Sequence, residues 1–76
     1  MRYFSYNEYN PDSPLADSTG GYVVTKSEEE IIREYWPYWY TQMCKRYEQS
    51  YVDETYSALD CVEDWCVVHW AWEVNK

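Results

Sequence analysis

The sequence predicts an α+β fold: a small three-stranded antiparallel sheet with two or three helices packed on one face. Three observations carry that prediction. The hydrophobic period is two residues near both ends of the chain, over residues 2–9 and 66–74, and helical between them. A helix-start signal stands at Ser27, just after the first two extended segments. The 76 residues are 46% hydrophobic and 21% aromatic, which excludes a disordered chain. Large rings raise the buried area per residue in a chain this short. We therefore expect a single compact domain over residues 1–76.

Residues 2–9 (RYFSYNEY) place Phe4 and Tyr6 on one face and Tyr3 and Tyr9 on the other, the alternation of a half-buried strand. Asn10 to Gly21 is dense in Pro, Asp, Ser and Gly and reads as a loop. Tyr22–Thr25 follows as a second strand, returning on the first as a long-looped hairpin. Ser27-Glu28-Glu29-Glu30 fits a capping box, with Ser27 as N-cap and Glu30 reaching back. Its three glutamates sit where the helix dipole favours negative charge. Ile31, Ile32, Tyr35 and Trp36 then mark one buried stripe.

Pro37 lacks a donor, so the sequence predicts two helices meeting near it, with residues 28–48 mostly helical. Residues 49–56 form an acidic connector. Ser57 caps a short helix containing Leu59, Cys61, Val62 and Trp65. From Cys66 to Val74 the pattern is that of a strand, with Val68, Trp70, Trp72 and Val74 on one face.

Charge placement is the feature that speaks to function. The formal net charge is -8, which argues against a protein that grips nucleic acid or an anionic membrane through its own basic surface. Residues 49–76 hold six carboxylates (Asp53, Glu54, Asp60, Glu63, Asp64 and Glu73) against one cation, Lys76, a net of -5. Asp60, Glu63 and Asp64 stand at i, i+3 and i+4, where like charges destabilise a helix unless something else gains from them. A row of carboxylates on a rigid element presents charge much as a phosphate backbone does, and suits a basic cleft. Against this stands the plain reading that acidic surface keeps an aromatic-rich domain soluble.

The run Tyr35-Trp36-Pro37-Tyr38-Trp39-Tyr40 is the second conspicuous feature. Six large residues in a row cannot all face one core. Trp36, Trp39 and Met43 form the expected core stripe, leaving Tyr38 and Tyr40 as candidates for partner contact.

Other chemistries are weaker. Cys61, Cys66, His69 and Cys44 make a chemically suitable zinc set. In a strand over 66–74, however, Cys66 and His69 point to opposite faces, so no metal and no cofactor is expected. An odd count of three cysteines is a poor disulfide framework, which favours reduced thiols in a cytoplasmic protein. The start of the chain lacks the apolar core of a secretory signal, and no run nears the ~20 apolar residues a membrane span needs. No catalytic residue is assigned: Gly20 and Gly21 sit in a turn context, and no oxyanion turn accompanies the thiols.

In its length, its -8 charge and the carboxylates Asp53, Glu54, Asp60, Glu63 and Asp64, the chain resembles the small acidic proteins that phages and mobile elements use against bacterial nucleases. These include anti-restriction and anti-CRISPR inhibitors, several of them DNA mimics. It is a resemblance of character over the whole chain and implies no particular fold. It implies a non-enzymatic inhibitor, acting in the host bacterial cytoplasm. Its partner would be a nuclease or CRISPR effector with a basic nucleic-acid-binding surface. Two other classes stay open: an antitoxin or adaptor for a basic enzyme, and a sponge for a nucleotide signal. The sponge would need cations, and Lys45 with Arg46 beside Tyr47 is the local candidate.

Overall fold

The computed structural model describes residues 1–75. Two strands come first, β1 (Tyr3–Tyr9) and β2 (Gly21–Ser27). Three helices follow, α1 (Glu28–Arg46), α2 (Gln49–Thr55) and α3 (Ala58–His69), and a short strand β3 (Trp72–Val74) closes the order. The sheet runs β2-β1-β3 with both pairings antiparallel. The α+β prediction therefore holds.

Alternation along β1 decides which face the helices cover. Phe4 and Tyr6 point into the core with Ile31 of α1 and Val62 and Trp65 of α3, and Val24, Ile32, Tyr35, Cys66 and Ala71 pack around them. Ser5 points the other way, where its hydroxyl meets that of Thr25 at 2.7 Å. The connection between β1 and β2 is held at Asp17, whose carboxylate accepts from the Thr19 N–H (2.8 Å) and hydroxyl (2.6 Å). These bonds pull the Asp17 pKa below the usual carboxylate range.

Gly20 has φ +87°, and a Cβ there would lie 2.8 Å from Tyr9 Cε2. Gly20→Ala should therefore cost about 1–2 kcal/mol in urea unfolding, combining left-handed strain with displacement of the Tyr9 ring.

The capping box at the start of α1 is present: the Glu30 N–H donates to Ser27 Oγ at 3.2 Å, and Glu30 Oε1 accepts from the Ser27 N–H at 3.4 Å. Beyond it, three boundaries differ from the sequence reading. Pro37 does not divide the helix, and α1 is one element of 19 residues. A proline costs about 3 kcal/mol in a helix interior, but Ile31, Tyr35 and Trp39 form an i, i+4 row straight across it. Ile31 and Trp39 are buried and Tyr35 half-buried, so packing of that row outweighs the lost hydrogen bond.

The acidic connector 49–56 contains α2, which buries Val52. The third difference is the strand expected over 66–74. Residues 66–69 are instead the last turn of α3, and the strand is only Trp72–Val74. Over four residues the two periods are hard to separate, and long-range packing decides. One turn apart on the helix, Trp65 and His69 both contact the Tyr6 ring, at centroid distances of 5.3 and 5.0 Å.

The chain leaves α3 through Trp70, which takes the left-handed conformation (φ 56°, ψ 40°). The Ala71 N–H donates to the Cys66 carbonyl at 2.9 Å and the Trp70 N–H to that of Val67 at 3.4 Å, a Schellman closure. Glycine is the usual residue at such a position, and a Cβ there costs about 1–2 kcal/mol.

Candidate functional site

The C-terminal half of α1 and the outer face of α3 enclose an open groove of about 420 Å³. Asp60, Glu63 and Asp64 lie along its α3 wall, and Trp39, Met43 and Tyr56 are among the residues that make its apolar surface. A smaller depression of about 190 Å³ adjoins it, sharing Trp39, Met43, Arg46 and Asp64 and adding Tyr38. The structure thus brings the three carboxylates of α3 into one groove and sets Tyr38, an exposed ring, beside Asp64.

The other sequence-predicted residues are placed differently. Tyr40 is half-buried and stacks on Trp36 at 5.5 Å. Its hydroxyl donates to Asp53 Oδ1 at 2.6 Å, and that hydrogen bond is the first cause of a Tyr40 pKa pushed up to about 12. Asp53 and Tyr40 therefore tie α2 to α1. Glu54 is exposed on α2 and lines neither depression. Asp60 serves its own helix as well, accepting from the Ser57 N–H at 2.7 Å. Glu63 and Asp64 are exposed.

Arg46, with Lys45 the local cation candidate for the nucleotide-sponge alternative, lines the same groove as three carboxylates. A groove with one guanidinium and three carboxylates is net negative and suits a cationic ligand better than a phosphate. Tyr56 and Val67 were not singled out from the sequence. Val67 follows Asp60, Glu63 and Asp64 at helical spacing, and that periodicity was the available signal. The Tyr56 contacts, to Trp39 at 5.8 Å and Tyr47 at 6.4 Å, depend on how three helices meet.

Ion pairs are segregated. Arg2 pairs with Glu28 (2.8 Å) and Glu73 (3.8 Å), Lys26 with Glu34, and Arg33 with Glu29 (3.7 Å). Every one of these joins the sheet or the first half of α1. Among the described residues, none engages Asp53, Glu54, Asp60, Glu63 or Asp64. The charge of this protein is thus neutralised in part at the sheet end and left open on α2 and α3.

Cys61, Cys66 and His69 are occupied in packing. Cys66 and His69 share the last turn of α3, so the strand argument against their convergence falls. His69 Nδ1 lies 2.9 Å from the Trp65 carbonyl, and its ring stacks on Trp65 at 4.5 Å. Among the described residues, no three His, Cys, Asp or Glu groups gather as a metal site.

Cys61 is fully buried, and burial first, then Asp64, pushes its pKa up to about 11. A thiol raised in the folded state contributes stability that is intact below its unfolded pKa and is lost as pH rises towards the folded one. The melting temperature should fall between about pH 8.5 and pH 11. In Cys61→Ala the early part of that fall, before the tyrosines titrate, should flatten. Thiol labelling of the native protein should reach Cys61 last.

No protein-family model, curated protein or solved structure matches the chain.

Proposed function

We propose that this protein is a non-enzymatic inhibitor that occupies the basic nucleic-acid-binding surface of a bacterial defence complex, such as a nuclease or CRISPR effector. The observation that carries the reading is the segregation of charge. Carboxylates on two adjoining helices stand outside every ion pair among the described residues, while the four ion pairs all lie at the sheet and the first half of α1. Such a face steers association with a positive surface and penalises approach to a negative one. Trp39, Met43 and Tyr38 beside the carboxylates supply apolar contact area of the kind that charge alone lacks.

The groove and its neighbour are small, which favours insertion of one or a few cationic side chains of the partner over mimicry of a long duplex. The inhibitory reading is supported over catalysis by the state of the candidate groups. Cys61 is buried and hard to ionise, and the His69 ring is stacked and hydrogen-bonded within α3. An antitoxin or adaptor for a basic enzyme would use the same face. The nucleotide sponge is disfavoured, because Arg46 shares its groove with carboxylates.

The test is competition. Labelled DNA or guide RNA bound to restriction and CRISPR effector complexes should be released as this protein is titrated in, and release should weaken as salt rises. Undiminished nucleic-acid binding across such a panel, at saturating inhibitor, would reject the reading.

A further inference from the structure

Rings and carboxylates meet in the groove between α1 and α3. Trp39, Tyr47 and Tyr56 line it together with Asp60, Glu63 and Asp64. The rings form one connected group, in which Tyr56 meets Trp39 edge-on at 5.8 Å and Tyr47 at 6.4 Å. Trp39 is buried, Tyr56 half-buried and Tyr47 exposed, so the group runs from the core out to solvent. At about 420 Å³, the groove falls at the lower end of the size range of small-ligand pockets.

The groove also has a cation of its own, and the two do not pair. Arg46, in the last turn of α1, lines the same groove, yet none of the ion pairs among the described residues joins it to a carboxylate there. Asp60 accepts from the Ser57 N–H, and Asp64 faces the Tyr35 hydroxyl. Each ionised carboxylate offers about four acceptor positions, so acceptors remain open to a donor from outside.

We propose that this groove is a site for an arginine side chain of the protein partner, with Arg46 as the resident cation that opposes its entry. The guanidinium would lie against the rings of Tyr47 and Tyr56 and donate to the carboxylates of α3. Rings and carboxylates together favour that group over other cations. A quaternary ammonium suits the rings but has no proton to donate. A lysine ammonium donates, but it is compact and strongly hydrated and gains less from a ring face. Guanidinium is planar, weakly hydrated and carries a fork of N–H donors that fits a carboxylate bidentately. Arg46 lowers the negative potential of the groove without closing it, so its removal should help an incoming cation. The inference rests on the inhibitory reading only for what carries the arginine; the preference for guanidinium belongs to this chain.

Small probes test this on the full chain without a partner. Isotope-labelled protein at low salt is titrated with N-acetyl-arginine amide, N-acetyl-lysine amide and tetramethylammonium, and followed at the amides of Tyr47, Tyr56 and residues 60–67. The arginine probe should give saturable shifts there and bind about threefold or more tighter than the other two. Arg46→Gln should tighten the arginine probe about threefold, the effect in water of removing one like charge about 6 Å away. Glu63→Gln should weaken it by a similar factor. Arg46 and Glu63 are both exposed, so these variants should stay folded. No saturable shift, shifts centred elsewhere, or equal affinity for the arginine and lysine probes would overturn the proposal. So would unchanged or weaker binding in Arg46→Gln, since Arg46 would then be no competitor. The two readings fail separately. Selective arginine binding without nucleic-acid release in the competition assay would reject the inhibitory function and support the arginine site. Release of nucleic acid without probe selectivity would do the reverse.

Discussion

Trp65→Ala should lower the free energy of unfolding by about 3–5 kcal/mol, the range for removing a buried tryptophan. A domain of this length has about 4–11 kcal/mol in total, so the variant should be largely unfolded at moderate temperature. Trp65 is 5% exposed and belongs to the one cluster in which the sheet meets both long helices. Its ring meets Tyr6 edge-on and stacks on His69, so truncation removes one member of a three-ring cluster. Near-ultraviolet circular dichroism and a urea melt should both register the loss. A stable, cooperative Trp65→Ala protein would mean that the core lies elsewhere.

Trp39→Ala should be costly in a different way. Trp39 is also 5% exposed, but it lies outside that cluster, against Trp36 and Tyr56. Its removal should again cost about 3–5 kcal/mol, concentrated at the end of the molecule that carries α2. Hydrogen exchange should show α2 losing protection while the β1–β2 hairpin keeps most of its own. Because Trp39 also lines the groove beside Asp60, Glu63 and Asp64, the same variant should weaken partner inhibition. Equal loss of protection in hairpin and α2 would show that the two ends unfold as one unit.

The parts of this structure legible in the sequence were those set by local chemistry. The Ser27–Glu30 box, the alternation through Phe4 and Tyr6 and the turn residues between the strands each name their element within a few positions. What was not legible depended on distant partners. Continuity through Pro37 is decided by the row Ile31, Tyr35 and Trp39: the helical spacing already marked each as buried, but no local rule weighs their packing across the proline against its cost. The last turn of α3 is decided by Tyr6, some sixty residues earlier in the chain. At the candidate site, the spacing of Asp60, Glu63 and Asp64 predicted a shared face, and they share one groove. The Tyr40–Asp53 hydrogen bond was hidden because α2 itself was read as a connector. That bond changes how Tyr40 is to be understood, from a free ring to a strut between helices.

The central claim is that the open carboxylates of α3 do the recognising. Its most direct measurement is a side-by-side competition titration with the parent and with E63K/D64K, against the same effector–nucleic acid complex. Both side chains are exposed and outside the ion pairs among the described residues, so the double variant should melt close to the parent. It should nevertheless need about tenfold or more protein to release the nucleic acid, and its inhibition should lose most of the parent's salt dependence. A folded E63K/D64K protein that inhibits as well as the parent would contradict the account, and would leave the acidic face with no role beyond solubility.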